Sequence, residues 1–296
     1  MAASSSPPRV SFSLARADRN LDHRIDAARH DLADIALAGG VFAPYFAEPH
    51  LLRVISGPAD LRESPAAEAR LGSQLLHGEQ FAVLESEAGW SWGYGLHDHY
   101  VGYVETARLG DAPAPDHIVA ARLAPVYAGP DRRGEPIGER PMGERFATTP
   151  ADSFMAIEGG FVLADDMLAL ETRAPDPIAI GERLIGTPYL WGGRSGAGVD
   201  CSGLVQLTCA FAGIAAPRDS DQQQRALGAP LAEGEPLRRG DIVFFPNHVG
   251  VMRDAMMLLH ATQHHGATVA EPLADVVARI GREHPRPVLE RRRVVA

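Results

Sequence analysis

The chain has 296 residues, enough for two or three domains with cores of their own, because domains commonly hold about 100–150 residues. Apolar residues make up 45% of the sequence and charged residues 22%, a balance that excludes a disordered chain and a disulfide-stapled scaffold. The formal net charge of −10 argues against nucleic acid and against anionic lipid as partners.

The N-terminal residues 1–50 are expected to form a helical or extended segment. Helical spacing of apolar residues appears in part of it, over 21–39. No apolar run has the length of a signal-peptide core, and no stretch elsewhere reaches the roughly 20 apolar residues of a membrane span. The sequence therefore predicts a cytoplasmic protein.

Two similar β-rich segments follow, at residues 51–112 and 113–171. Each has the aromatic and β-branched content of short half-buried strands, broken by Gly, Pro and charged residues. The matching motifs are HGEQF (77–81) with MGERF (142–146), and GYV (102–104) with GFV (160–162). This self-similarity predicts two tandem copies of one small β-barrel.

A change of pattern begins after the linker at residues 171–177. Asp176 is suited to cap a helix that starts at Pro177. Helix and strand patterns alternate from there to the end of the sequence. Residues 177–296 are therefore predicted to form an α+β domain.

One of the two cysteines, Cys201, is predicted to start a helix of about twelve residues. A helix N-terminus favours a thiolate and offers free N–H groups to an oxyanion, although Asp200 opposes the first effect. Cys209 lies eight residues further along the same helix, roughly 12 Å away, too far for a disulfide. Cys201 is thus a candidate nucleophile that still needs a base.

Two histidines are candidates for that base. The apolar runs around Arg253-Asp254-Ala255 predict a hairpin centred on Asp254, which pairs Val249 with Leu259 and His248 with His260. The two rings then leave the same face of the sheet, so that one ring can orient the other. Asn247 is rejected as the orienting group because it points to the opposite face.

These residues stand in motifs that resemble the NlpC/p60 cysteine peptidases. The motifs, in chain order, are GTPYLWGG (186–193), DCSGLVQ (200–206), PRDSDQQ (217–223), GDIVFF (240–245), HVGV (248–251) and LLHA (258–261). The two N-terminal copies resemble bacterial SH3-like domains. The resemblance implies a papain-like α+β domain at 177–296, preceded by two small SH3-like β-barrels.

The resemblance also implies an activity. Cys201 would be the nucleophile, His248 the general base and acid, and His260 the third member. The family hydrolyses cell-wall peptides between γ-D-glutamate and a diamino acid, and the sequence leaves open whether that residue is diaminopimelate or lysine. No cofactor is implied.

Members that carry SH3-like domains and lack a secretion signal act on released muropeptides with a free L-Ala amino group. This implies a role in recycling, with an L-Ala-γ-D-Glu-diamino acid peptide as the partner and no membrane or nucleic acid. The residues carried over for substrate binding are Tyr189, Asp200, Ser202 and Asp219. Arg218 is assigned either to the substrate's α-carboxylate or to a pair with Asp219.

Other functions remain open at this stage. Cys201, His248, His260 and His264 or His265 include zinc-ligand types, but no pair has metal-site spacing. The chain is alternatively a catalytically idle module that binds wall peptide, or an amidase or acyltransferase of the same fold.

Overall fold

The computed structural model describes residues 21–294, which form two compact units divided between Ala112 and Pro113. Residues 1–20 of the predicted N-terminal segment lie outside the described residues. The described remainder, 21–50, contains short strands and a 3-10 turn in place of an α-helix. The apolar spacing over 21–39 does not produce an α-helix, because the buried Asp34 carboxylate accepts the Ala36 N–H and closes a tight turn there.

The first unit is built on strands. They are β1 (Leu32–Asp34), β2 (Tyr45–Ala47), β3 (His50–Val54), β4 (Ala59–Arg62), β5 (Leu71–Leu75), β6 (Gln80–Glu87), β7 (Trp90–Gly95), β8 (Val101–Glu105) and β9 (Leu109–Gly110). β1 and β2 pair in parallel, and the other seven form a sheet in the order β5-β4-β8-β7-β6-β3-β9. Leu61, Phe81 and Val104 are central to its core. No pairing among the described residues closes this sheet into a ring.

The second unit begins with eight further short strands. They are β10 (His117–Val119), β11 (Leu123–Val126), β12 (Gly138–Pro141), β13 (Arg145–Phe146), β14 (Thr149–Ala151), β15 (Phe154–Ile157), β16 (Gly160–Leu163) and β17 (Met167–Ala169). β10 pairs with β13 and β17 just as β3 pairs with β6 and β9. The meander β14-β15-β16 likewise matches β6-β7-β8, and the hairpin β11-β12 matches β4-β5. Both segments therefore share one strand order.

The rest of the second unit has the α+β character predicted from the sequence. Its helices are α1 (Pro177–Glu182), α2 (Cys201–Phe211), α3 (Ser220–Ala226) and α4 (Leu273–Ile280). Its strands are β18 (Arg194–Ser195), β19 (Gly198–Val199), β20 (Ala229–Pro230), β21 (Ile242–Phe245), β22 (His248–Met252), β23 (Met257–Thr262), β24 (Ala267–Pro272) and β25 (Glu290–Arg293). As predicted, Asp176 caps α1 by accepting the N–H groups of Ile178 and Ala179.

A six-stranded sheet in the order β20-β25-β21-β22-β23-β24 positions the site. α2 packs on one face, where Val205 lies in a cluster with Val249. α4 belongs to the cluster on the other face, where Val276 packs with Met252 and Leu258. Within residues 21–294, no helix combines the length and the hydropathy that a membrane crossing requires.

The repeated motif builds the same turn twice, with one chemical difference. In both copies a glycine adopts a positive φ, 82° at Gly78 and 97° at Gly143, and the following glutamate is buried. In the first copy the carboxylate of Glu79 accepts the Leu76 N–H at 2.9 Å. The residue that corresponds to Leu76 in the second copy is Pro141, which has no N–H to donate. Neither carboxyl oxygen of Glu144 has a hydrogen-bond partner among the described residues.

Glu144 should therefore make the stability of the second copy depend on pH. Burial raises the pKa of Glu144 from 4.5 to about 7, although the charge of Arg140 opposes the shift. The unfolded chain ionises this group first, so folding loses stability as the pH rises from 4.5 through about 7. We expect Glu144→Gln to raise the free energy of unfolding by about 1–3 kcal/mol above pH 8, and by little at pH 4. Urea titrations at both pH values measure this difference.

The matched control is Glu79→Gln, at the same place in the first copy. This variant loses the carboxylate that accepts the Leu76 N–H, so we expect no gain in stability at any pH. A stability difference between Glu144→Gln and the wild type that stayed constant with pH would contradict the account of Glu144.

Candidate active site

Cys201 is the first residue of α2, where the local sequence fixes the start of the helix. Asp200 is the N-cap, and its carboxylate accepts the Gly203 N–H at 2.8 Å. A Cβ on Gly203 would lie 2.3 Å from the Gly193 carbonyl oxygen, so only glycine allows this close approach. The Asp200 N–H also donates to the Gly193 carbonyl, at 3.1 Å. The motifs around Gly193 and Cys201 thus hold each other in place.

The sulfur of Cys201 is buried against the neighbouring strand. Cys201 packs in one cluster with Val249. Burial, and then the negative charge of Asp200, raises the pKa of the thiol to about 12, although the backbone N–H groups of Val249 and Ser202 and the charge of Arg218 oppose the shift. The resting group is therefore a neutral thiol, which needs a base before it can attack.

His248 and His260 lie side by side, as the sequence predicts. Their ring centroids are 5.0 Å apart, and His248 Nε2 lies 2.7 Å from His260 Nδ1. No hydrogen bond joins either ring to the Cys201 sulfur in the described part of the chain; Cys201 instead packs in one cluster with Val249, the residue that follows His248.

The predicted pairing of the hairpin is wrong by two residues. Leu259 is opposite Val251, not opposite Val249, so His260 is not directly across from His248. The cause is the turn, where the Asp254 carboxylate accepts the N–H groups of Met256 and Met257 and delays the return strand. A shift of two residues preserves the face on which each side chain lies. The two rings consequently still meet, along a diagonal.

Two charged residues extend the pair, and sequence reasoning missed both. His260 Nε2 lies 2.9 Å from Glu271 Oε1, on β24. Arg279 of α4 donates to both oxygens of Glu271, at 3.1 and 2.5 Å. The available signal was strand alternation, which would have placed Glu271 on the face of His260 had β24 been predicted as a strand.

The electrostatic environment keeps both rings neutral near pH 7. Burial lowers the pKa of His248 to about 3, with smaller contributions from His260 and Arg279. Burial also lowers the pKa of His260 to about 4, although Glu271 opposes the shift. Burial alone would raise the pKa of Glu271, but hydrogen bonds with Arg279 and His260 lower it to about 2. Two neutral imidazoles, His248 and His260, are thus followed in the hydrogen-bonded chain by the ionised carboxylate of Glu271.

Asp200, Ser202 and Arg218 form a buried polar cluster beneath the start of α2. Arg218 is 1% exposed and donates to both oxygens of Asp200, at 3.1 and 2.5 Å, and to the Ser202 hydroxyl at 2.7 Å. The Asp200 carboxylate also accepts the Gly192 N–H and the Ser202 hydroxyl. Its two oxygens therefore already accept hydrogen bonds from three residues besides its own helix cap, namely Gly192, Ser202 and Arg218.

The other two predicted substrate-binding residues are more exposed. Tyr189 is half-buried. Burial, then the charge of Cys201 in its thiolate form and the charge of Asp200 raise the pKa of its phenol. Asp219 is the N-cap of α3 and forms a capping box with Gln222.

Metal binding has no geometric support in the described residues. No group of three or more His, Cys, Asp or Glu side chains within residues 21–294 is arranged to hold a metal ion. Cys201 and Cys209 are both free and buried, in the cluster between α2 and the sheet.

Family models match two parts of the chain. Residues 186–279 match the NlpC/P60 family, and residues 61–109 match the bacterial dipeptidyl-peptidase SH3 domain. The first match contains Cys201, His248, His260 and Glu271. The second lies within the first of the two repeated segments.

Named relatives agree with these matches. Dipeptidyl-peptidase 6 of Lysinibacillus sphaericus is 36% identical over 238 residues, which cover 71% of this chain and 86% of that protein. A γ-D-glutamyl-L-lysine dipeptidyl-peptidase of Bacillus subtilis is 37% identical over 97 residues. The chain matches only 32% of that enzyme's length, and 22% of the length of the Bacillus cereus enzyme of the same name.

A solved structure shares the fold. An NlpC/P60 family protein from Bacillus cereus aligns over 83% of this chain and 100% of its own, with a TM-score of 0.68 at 20% identity. The long match to the Lysinibacillus enzyme, the family model at 186–279 and this fold agree with one another. The chain belongs to the NlpC/P60 family.

Proposed function

We propose that the chain is a cysteine endopeptidase that hydrolyses the γ-D-glutamyl–diamino acid bond of peptidoglycan-derived peptides. The coarser assignment, a peptidoglycan-peptide hydrolase of the NlpC/P60 type, is supported by the names of the relatives. The observation that carries the finer proposal is the position of Cys201, at a helix start and packed in one cluster with Val249, the residue that follows His248.

In the proposed mechanism, His248 takes the proton of the Cys201 thiol and the sulfur attacks the γ-glutamyl carbonyl. His248 then gives this proton to the leaving amine, and a thioester remains on the sulfur. Water attacks the thioester and releases the γ-carboxylate. The Cys201 backbone N–H has no acceptor within its helix, because it is the first helical residue, and it supplies one oxyanion donor. The Tyr189 hydroxyl is the proposed second donor.

We further propose that the substrate carries a free N-terminal amine. The Asp219 carboxylate, with Tyr189 and Ser202, would bind the ammonium, and an acylated amine would offer no positive charge to that carboxylate. Asp200 is assigned a positioning role, because its oxygens are already saturated by Arg218 and backbone donors. A cytoplasmic location and a role in recycling fit this preference, and cell fractionation tests the location.

The experiment is an incubation with L-Ala-γ-D-Glu-meso-diaminopimelate, its L-Lys counterpart and the N-acetyl form of each. We expect release of the L-Ala-γ-D-Glu dipeptide from the free peptides and at least about tenfold less from the acetylated ones. Equal cleavage of free and acetylated peptides would refute the ammonium site. Binding without cleavage would instead favour an idle module.

The pH dependence of the reaction follows from the two neutral rings. A base with a lowered pKa stays competent down to that lower value, so activity is lost only as the pH falls through it. With pKa values of about 3 for His248 and about 4 for His260, we expect kcat/KM to hold its value down to roughly pH 5. Initial rates measured from pH 4 to 8 check this. A fall centred near pH 6.5, the value for an unperturbed histidine, would contradict it.

A further inference from the structure

We propose that Glu271 is a positioning residue that sets which ring nitrogens of His260 and His248 carry protons. It touches neither the nucleophile nor the substrate and acts through His260. The consequence for catalysis rests on the proposed function, whereas the proton positions themselves do not.

The first step concerns the contact between Glu271 and His260. Arg279 forms two hydrogen bonds to the Glu271 carboxylate, which keeps it ionised and therefore an acceptor only. His260 Nε2, at 2.9 Å from Glu271 Oε1, must then be the donor. Because His260 is fully buried, water offers no alternative partner.

The second step passes this constraint to the base. A neutral His260 with its proton on Nε2 has a lone pair on Nδ1. That lone pair lies 2.7 Å from His248 Nε2, so His248 donates from Nε2 and its own Nδ1 is unprotonated. The only nitrogen of His248 able to accept a proton from Cys201 is thus left free.

The reverse arrangement would be inactive. If His260 carried its proton on Nδ1, it would donate to His248 Nε2, and the His248 proton would sit on Nδ1, where it blocks acceptance of the thiol proton. His265 also approaches Glu271, with its Nε2 3.4 Å from Oε1, and Arg279 holds the same oxygen. Three side chains thus surround the Glu271 carboxylate, and of these His260 is the one that also contacts His248.

The test is Glu271→Gln in the full chain. The single amide oxygen is expected to face the charged Arg279, which turns the amide N–H₂ toward His260 Nε2 and reverses both rings. We expect kcat to fall by about 10²–10⁴-fold with KM little changed, as for other catalytic histidines held in the wrong tautomer. Glu271→Asp, which keeps an acceptor, should recover part of the loss. Asp275→Asn, an exposed carboxylate on α4, is the matched charge control and should change kcat less than about twofold.

A second measurement does not depend on activity. Nitrogen-15 NMR of labelled histidine reports which ring nitrogens are protonated. We expect protons on Nε2 of both rings in the wild type and on Nδ1 of both in Glu271→Gln. A wild-type His248 protonated on Nδ1 overturns the proposal, as does a variant that loses activity with unchanged ring nitrogens. A wild type with the expected nitrogens but no peptidase activity would refute the proposed function and leave this inference standing.

Discussion

Replacing Cys201 with alanine is expected to reduce release of the L-Ala-γ-D-Glu dipeptide by at least about 10⁴-fold. The thiol is the proposed nucleophile, and its surroundings disfavour a resting thiolate because burial and Asp200 raise its pKa to about 12. Removal of the sulfur removes the thioester, so the initial burst of product should disappear as well. Chromatography of the dipeptide and rapid-quench measurement of the burst check both effects.

Cys209→Ala is the matched control for this prediction. Cys209 lies two turns further along the same helix, is equally buried and packs in the same cluster as Cys201, but it is not at the helix start. Its loss should leave a small cavity and cost about 1 kcal/mol of stability with little change in kcat. An unchanged rate in Cys201→Ala, or equal losses in the two variants, would exclude the thiol mechanism.

The start of α2 was predictable because its signals are local. Asp200 and Gly203 lie within three residues of one another, and the hydrogen bond of the cap joins only these two. The similarity of the two repeats was predictable for a different reason. Two copies of one sequence motif are expected to fold in the same way. The buried glutamate of the second copy shows the limit of that reasoning, because Pro141 removes one donor that the first copy has.

Features that depend on tertiary contact were not predictable. The prediction that His248 and His260 lie side by side was right, but the predicted register of their strands was wrong. The register is set by the turn at Asp254, and a hydrophobic pattern does not reveal the hydrogen bonds of the Asp254 side chain. Glu271 reaches His260 only after β24 has paired with β23. Arg218 was assigned to the substrate or to its neighbour Asp219, whereas its fork to Asp200 spans 18 residues of sequence.

The two hydrogen bonds from Arg218 to Asp200 are expected to have a large effect on the stability of the fold. Arg218→Met is expected to lower the free energy of unfolding by about 3–5 kcal/mol, because it leaves the buried Asp200 carboxylate without its counter-ion. Arg218→Lys should also destabilise, since a single ammonium cannot make the two parallel hydrogen bonds of the guanidinium. Urea unfolding followed by circular dichroism at pH 7 measures these losses.

Arg225→Met supplies the comparison, because Arg225 forms a similar pair with Asp221, at 2.7 Å, but on the surface, where the two side chains are 65% and 50% exposed. Such a pair contributes less than about 1 kcal/mol. The double variant Arg218→Met with Asp200→Asn removes both buried charges and should regain part of the loss, which a purely steric role for Arg218 would not allow. If Arg218→Met cost no more than Arg225→Met, the buried pair would not be what holds the start of α2, and the position of the Cys201 sulfur would need another support.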